Sequence, residues 1–238
     1  MTTSIHITLA LPAYNEQSNI AHVLETSTAA LQALDVPWEI LVIDNHSSDA
    51  TPEIVRQCAQ RDHRIRLIRH SENKLYSGSC ATAICEARGK YLAIMDSDGQ
   101  FVASDLPLFL KKLEAGANFV IGWRRERHDP LSRIILSSVF NLLGRFWLGF
   151  TFHDLNCGIR MCDRAFLSVA SIKHRINLAN PELFVRGRIA GMRFDEVEVE
   201  HHERNAGATS HNFKKSIQLF IDVNKHFMEL ARELRSRS

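Results

Sequence analysis

Tyr91-Leu92-Ala93-Ile94-Met95-Asp96-Ser97-Asp98 is a short apolar run that ends in two carboxylates two positions apart. A run of this length predicts a buried strand, and the end of a buried strand is a costly place for paired negative charge. Side chains at i and i+2 of an extended chain point the same way, so Asp96 and Asp98 can aim together at one hard cation just past the strand. A cation there could hold a diphosphate. The same residues are also good turn chemistry, because Asp and Ser side chains bond to nearby backbone and Gly99 supplies positive φ. Taken alone, Asp-Ser-Asp-Gly favours the turn.

Outward from this run, apolar stretches of strand length recur at 5–11, 38–44, 65–69, 91–96 and 118–122, and helical spacing separates the first four. The alternation predicts an α/β fold with a mainly parallel central sheet flanked by helices. Ligands bind such sheets beyond the carboxyl ends of the strands. Three polar segments fall there: Pro12 to Glu16, Asp44 to Asp49, and Asp96 to Gln100.

After residue 122 the pattern changes. Trp123 to Pro130 is a polar, Arg-rich connection, followed by an apolar stretch from Ile134 to Phe152, helices near 163–173 and 181–190, a strand near 192–199 and a helix over about 212–235. No Pro/Gly/Ser linker, repeat or low-complexity tract divides the chain. The expected organisation is one domain over 1–211, with 212–238 forming a basic amphipathic helix packed on that domain or lying at a membrane surface. Phe213, Ile217, Phe220, Phe227, Met228, Ala231 and Leu234 fall near one stripe of that helix.

At 238 residues the chain is long enough to bury a substantial core, and its net charge of +2 argues against a nucleic-acid binder. The five cysteines, at 58, 80, 85, 157 and 162, include no Cys-x-x-Cys pair. Neither a disulfide framework nor a zinc site is indicated, and a reducing cytosol is the expected compartment. The first residues lack the charged start, apolar middle and small-residue cleavage site of a signal peptide. The 134–152 stretch approaches the roughly 20 residues of a spanning helix. Yet Ser137, Ser138, Asn141 and Arg145 interrupt it, and a central Arg costs at least about 2.5 kcal/mol on insertion. It reads as buried or interfacial.

Leu11-Pro12-Ala13-Tyr14-Asn15-Glu16 reads either as a strand-to-helix turn with Asn15 as a cap or as a nucleotide pocket lined by Tyr14 and Glu16. In Asp44-Asn45-His46-Ser47-Ser48-Asp49-Ala50-Thr51, Ser48 or Asp49 can cap the next helix. Asp44, at the end of an apolar strand, is instead placed to accept hydrogen bonds from a base or ribose. His201-His202-Glu203 is no metal site, because adjacent strand residues face opposite sides.

These three loops resemble the family-two glycosyltransferases, whose signatures include Pro-x-Tyr-Asn-Glu, an Asp-Asp/Asn-x-Ser-x-Asp-x-Thr turn and an Asp-x-Asp after the fourth strand. His153-Asp154-Leu155-Asn156-Cys157-Gly158-Ile159-Arg160 is similar to the Asp-Leu-Thr-Ser-Gly-Phe-Arg segment of the polyprenyl-phosphate glycosyltransferases, the group that includes dolichol-phosphate mannose synthase. Glu196-Val197-Glu198-Val199 and Arg204-Asn205-Ala206-Gly207 resemble that group's Glu-Val-Pro strand and Arg-x-x-Gly loop. The likeness covers roughly residues 5 to 220, and five motifs in order are far more specific than one.

The resemblance implies a GT-A type nucleotide-diphospho-sugar transferase fold and inverting transfer by direct displacement. It places Pro12, Tyr14, Glu16 and Asp44 on the nucleotide, and Asp96, Asp98 and Gln100 around Mg²⁺ or Mn²⁺. It gathers Arg124, Arg133, Ser137 and Arg204 around an acceptor phosphate. Arginine's planar fork suits phosphate oxygens. Two departures stand out: Asn45-His46 replaces the usual Asp-Gly, and Ala208-Thr209-Ser210 replaces a Glu-Ser-Lys whose Lys binds phosphate, unless Lys214 or Lys215 substitutes.

The expected reaction moves a sugar from a nucleoside diphosphate sugar to an isoprenoid (polyprenyl) phosphate at the cytosolic face of a membrane, with peripheral contact. Asp98 and Asp154 are the catalytic candidates. An ionised phosphate needs positioning more than a base, whereas a hydroxyl of a soluble molecule or glycan would need one, with Asp154 first and Glu182 second. A sugar-nucleotide-binding protein without transfer is a third reading, against which the intact Asp96 and Asp98 argue.

Overall fold

The computed structural model describes residues 4–126, 131–173, 178–203 and 213–237, with the helical path alone described at 131–133, 213–219 and 237. Seven strands form a single sheet: Ile7–Ala13 (β1), Trp38–Asp44 (β2), Ile65–Arg69 (β3), Tyr91–Met95 (β4), Phe119–Trp123 (β5), Ile159–Asp163 (β6) and Phe194–Glu198 (β7). Their order is β3-β2-β1-β4-β6-β5-β7. Strands β1 to β4 pair in parallel, β5 and β7 pair in parallel, and β6 lies antiparallel between β4 and β5. The expected mainly parallel sheet is present.

Every residue of β1, β2 and β4 is buried, which is why these strands read as unbroken apolar runs and not as alternating ones. Besides Asp44 at its end, β2 holds one charged residue, Glu39. Its carboxylate accepts from the Thr8 hydroxyl at 2.7 Å, the Arg66 guanidinium at 2.9 Å and the Arg88 amide at 3.0 Å, so its burial is compensated.

Helices Ile20–Gln32 (α1), Thr51–Arg61 (α2) and Leu75–Glu86 (α3) link the first four strands. They are followed by Leu106–Glu114 (α4), Leu131–Leu148 (α5), Arg164–Val169 (α6), Ala179–Ile189 (α7) and Phe213–Arg237 (α8). On α8, Val223, Phe227, Leu230 and Ala231 are buried, Phe227 meets Phe140 of α5 with ring centroids 5.2 Å apart, and Asn224 accepts from the Trp147 indole at 2.9 Å. Arg186 of α7 pairs with Glu233.

Three boundaries differ from expectation. Strand β6 occupies the start of a region read as motif and helix, and the helix after it is confined to Arg164–Val169. Arg160 and Asp163 put two charges in the five residues of β6, which weakens its strand signal. Asp163 ends that strand and caps α6 by accepting from the Phe166 amide at 2.7 Å. In addition, β1 runs on through Pro12 to Ala13. Pairing with β4 stops at Ala10, and the Pro12 carbonyl faces the β4 side, where it accepts from the Ser97 hydroxyl at 2.7 Å. The N–H that proline lacks would face the same side, beyond the end of the ladder, so the ring interrupts nothing.

This topology brings the carboxyl ends of β1, β2 and β4 to one edge. Because β6 is antiparallel, its beginning arrives there too, with Ile159 opposite Met95 and the Asp96 amide donating to the Gly158 carbonyl at 3.1 Å.

Candidate functional site

The loops after β1 and β2 are clipped together. The Asn15 amide donates to Ser47 Oγ at 2.9 Å and the Glu16 amide to Thr51 Oγ1 at 2.8 Å, while Asn15 Oδ1 accepts from the Ser48 amide at 2.9 Å. Asn15 is therefore a cross-loop clasp and not the cap of α1, and its φ of 56° fits an Asn in the left-handed region. Asp49 does meet the start of α2, accepting from the Thr51 amide at 3.0 Å. His46 has a φ of 67°, the conformation that explains why glycine is usual at this point of the motif.

Of the nucleotide candidates, Pro12 is buried in β1, Tyr14 stands 49% exposed on the rim, and Glu16 is turned back to accept from the Asn19 amide group at 2.7 Å. Asp44 is fully buried at the end of β2. Its Oδ1 accepts from the Ser47 amide at 3.2 Å, whereas Oδ2 lies 3.1 Å from Arg69 Nε as an ion pair without hydrogen-bond alignment. That oxygen keeps unused acceptor capacity beneath the Arg69 side chain.

At the end of β4, the turn and the carboxylate pair coexist. Asp98 Oδ1 accepts from the Gln100 amide at 3.1 Å, and Gly99 has a φ of 80°. Asp96 Oδ1 accepts from the Tyr76 hydroxyl at 2.7 Å. A Cβ at position 158 would collide with Asp96 Oδ2, so only glycine leaves room there. Burial and the neighbouring Asp98 carboxylate push the Asp96 carboxyl up to about 6, against the pull of Tyr76, Arg160 and Arg124. A buried carboxylate with a second carboxylate two residues on suits a hard cation. Among the described residues no group of three or more His, Cys, Asp or Glu side chains could surround an ion. A pair of carboxylates fits Mg²⁺ or Mn²⁺ whose remaining positions are filled by substrate phosphates and water. The Gln100 side chain donates to the His202 carbonyl at 3.3 Å, tying this loop to the segment after β7.

Arg124 and Asp154, predicted for separate tasks, meet each other. Arg124 Nε and its terminal nitrogen reach the two Asp154 oxygens at 2.6 and 3.1 Å, with both side chains buried. Glu182 is fully buried, accepts from the Lys173 amide at 2.7 Å and has His226 at 3.9 Å; it does not line the cavity described next. Arg133 and Arg204 lie outside the residues whose side chains are described.

A cavity of about 460 Å³ opens beside Asp96. It is lined by polar residues including Asp96, Arg124, Arg160, Ser137 and Asn180, and by Leu136, Val139, Phe140, Leu143, Phe220 and Val223 of α5 and α8. Ser137 Oγ, Arg160 Nε and Asn180 Oδ1 make no hydrogen bond among the described residues. The Asn180 amide orientation follows from its Nδ2, which donates to the carbonyls of Leu155 at 2.9 Å and Cys157 at 3.3 Å.

Sequence reasoning missed Tyr76, Asn180 and Arg160 as site residues. Arg160 stood inside a recognised motif and signalled itself as a charge in an apolar run. Tyr76 and Asn180 gave no such signal, because long-range packing alone brings them here.

The family model for Glycosyl transferase family 2 matches residues 8–169. The chain is similar to a dodecaprenyl-phosphate galacturonate synthase from Rhizobium johnstonii, 27% identical over 92% of this chain and 66% of that protein. It is similar also to an undecaprenyl-phosphate 4-deoxy-4-formamido-L-arabinose transferase from Salmonella paratyphi A, 28% identical over 91% of this chain and 66% of that protein. The chain thus spans slightly under two thirds of the length of these curated relatives. Among solved structures, glucosyl-3-phosphoglycerate synthase from Mycobacterium tuberculosis in complex with Mn²⁺, UDP and phosphoglyceric acid superposes with a TM-score of 0.69 at 17% identity, covering 95% of this chain and 78% of that one. The fold is of the GT-A type.

Proposed function

The chain belongs to glycosyl transferase family 2, and from that premise we propose that it moves a sugar from a nucleoside diphosphate sugar to an isoprenoid phosphate. The observation that carries this reading is the cavity beside Asp96, whose polar head and aliphatic walls match a phosphate on a hydrocarbon chain.

On the donor side, Asp44 Oδ2 meets the base or ribose, with Tyr14 at the rim. Asp96 and Asp98 hold the divalent cation. When bound, that cation supplies Lewis-acid stabilisation of the departing diphosphate. On the acceptor side, the Asp154 carboxylate fixes the Arg124 guanidinium in one orientation at the polar end of the cavity. Arg124 and the Ser137 hydroxyl then position an acceptor phosphate, joined by Arg133 and Arg204. A phosphate attacks already ionised, so the reaction needs alignment rather than proton removal.

The same geometry disfavours a hydroxyl acceptor. Asp154, the first candidate base, spends both oxygens on Arg124, and Glu182 lies away from the cavity. Neither of the two candidate bases is therefore placed to take a proton from a neutral hydroxyl.

No helix among the described residues is long and apolar enough to cross a membrane. Ile135, Leu142 and Phe146 of α5 and Phe220 and Ile221 of α8 are exposed nonetheless. Phe220 also lines the cavity, so exposed apolar surface adjoins the place where an isoprenoid would enter. Peripheral seating on the cytosolic face of a membrane would present that mouth to lipid.

The test is transfer of radiolabel from several sugar nucleotides to undecaprenyl phosphate in the presence of Mg²⁺ or Mn²⁺. Label that enters organic solvent and is released by mild acid supports the reading; label confined to water-soluble product overturns it.

A further inference from the structure

We propose that Tyr76, held by Arg160, is the positioning residue that sets how tightly Asp96 takes a divalent cation. This rests on the reading of Asp96 as a ligand of that cation.

The hydrogen-bond directions are unambiguous. Arginine only donates, so the Tyr76 oxygen accepts from an Arg160 terminal nitrogen at 3.0 Å. The single hydroxyl proton of Tyr76 is then committed to Asp96 Oδ1 at 2.7 Å. The other terminal nitrogen of Arg160 donates to Cys80 Sγ at 2.8 Å. Cys80 lies four residues beyond Tyr76 on the same face of α3, so one helix grips both arms of the guanidinium. Arg160 is 2% exposed, and its guanidinium reaches the Asp96 carboxylate through the Tyr76 hydroxyl.

Asp96 is consequently held from two sides. Tyr76 fixes one oxygen, and the bare backbone of Gly158 bounds the other. A carboxylate already ordered in this way loses little freedom when it takes a cation. A polarised hydroxyl on one oxygen also leaves the remaining lone pairs for coordination. Partners of this outer kind change metal affinity by roughly 10- to 100-fold when removed. The arrangement spans three elements, α3, β6 and β4, and motif matching on the β4 loop alone does not reveal it.

Tyr76→Phe isolates the effect, because it deletes one oxygen and keeps the ring beneath the guanidinium, which lies 5.5 Å from the ring centre. The experiment titrates Mn²⁺ into wild type and variant by electron paramagnetic resonance, with UDP and with GDP present in turn. Nucleotide binding in EDTA and thermal midpoint are measured alongside. We expect Mn²⁺ binding weakened by about 10- to 100-fold, unchanged nucleotide affinity in EDTA, and transfer that recovers at raised Mn²⁺. Equal Mn²⁺ affinity in the two proteins overturns the proposal while leaving the reading of Asp96 intact. Loss of nucleotide affinity in EDTA assigns Tyr76 a merely structural role and also overturns it. Absence of Mn²⁺ binding in wild type with either nucleotide overturns both. Should Tyr76→Phe fail to fold, Cys80→Ala carries the same titration: it frees one arm of Arg160, with a weakening of about two- to fivefold expected and none refuting.

Discussion

The proposed donor edge and the proposed acceptor cavity are held by opposite kinds of force. At the donor edge, loops after β1 and β2 are locked by short polar bonds such as Asn15 to Ser47 and Glu16 to Thr51. The acceptor cavity is walled by aliphatic and aromatic side chains of α5 and α8, two helices far apart in sequence that meet through Phe140 and Phe227. Directional bonds suit a donor with fixed stereochemistry at its base, ribose and diphosphate. Nondirectional packing suits a flexible hydrocarbon whose only polar feature is its head. The two chemistries touch at Asp96, which closes the polar end of the cavity.

The contrast breaks most completely at the carboxylates. Asp96→Asn or Asp98→Asn should lower transfer by at least about 10³-fold, because charge stabilisation on the leaving group is the largest catalytic contribution. The same Asp96→Asn change should stabilise the metal-free protein. The folded pKa is raised from 3.8 to about 6, so in EDTA wild type loses stability as pH rises through that interval, whereas the amide does not. About 1–3 kcal/mol is expected at pH 7, given about 1.4 kcal/mol per unit, read as a difference in denaturant midpoint between pH 4 and pH 7. A variant no more stable than wild type at pH 7 would remove the picture of a strained carboxylate pair.

Next in size is Arg124→Ala, which strands a buried Asp154 carboxylate. A loss of about 3–5 kcal/mol in chemical denaturation is expected, with transfer down about 100-fold. Replacing both partners, Arg124→Met with Asp154→Leu, should restore most of the stability and none of the activity. Recovered activity in the double variant would place the acceptor phosphate elsewhere.

Filling the cavity separates its two ends. Leu143→Trp should raise the isoprenoid phosphate KM about tenfold, near 1.4 kcal/mol, while nucleotide affinity in calorimetry stays unchanged. An effect on both would mean that cavity and donor edge are one site. The smallest change is His46→Gly, expected to raise stability by about 1 kcal/mol by relieving the left-handed backbone at the donor edge, as measured by thermal midpoint.

The same contrast explains what was legible beforehand. Strands β1, β2 and β4 announced themselves because buried parallel strands read as nearly continuous apolar runs, and the loops at their carboxyl ends carry local polar motifs. Asp44, Asp96 and Asp98 could therefore be placed from neighbours in sequence. Strand β6 was hidden because its residues fall between a recognised motif ending at Arg160 and a helix expected from 163, and its Arg160 is buried only with Tyr76 and Cys80, some 80 residues earlier, as partners. The Arg124–Asp154 pair was hidden for a related reason: each was recognised as chemistry, yet only the fold shows that each is the other's partner. The greasy character of α5 was plain, but its division into cavity-lining Leu136, Val139, Phe140 and Leu143 and exposed Ile135, Leu142 and Phe146 depends on where α8 docks.

Strand β6 also carries an evolutionary consequence. Its register against β4 sets Ile159 opposite Met95, and side chains alternate faces along a strand. Inserting or deleting a single residue between Gly158 and Arg160 would turn the guanidinium to the opposite face of the sheet and press a side chain against Asp96. Loops around the sheet can lengthen and diversify to accept new sugars or new lipids, but this stretch cannot change length without disturbing the proposed cation site. Diversification within this architecture should therefore proceed by substitution along β6 and by insertion in the loops.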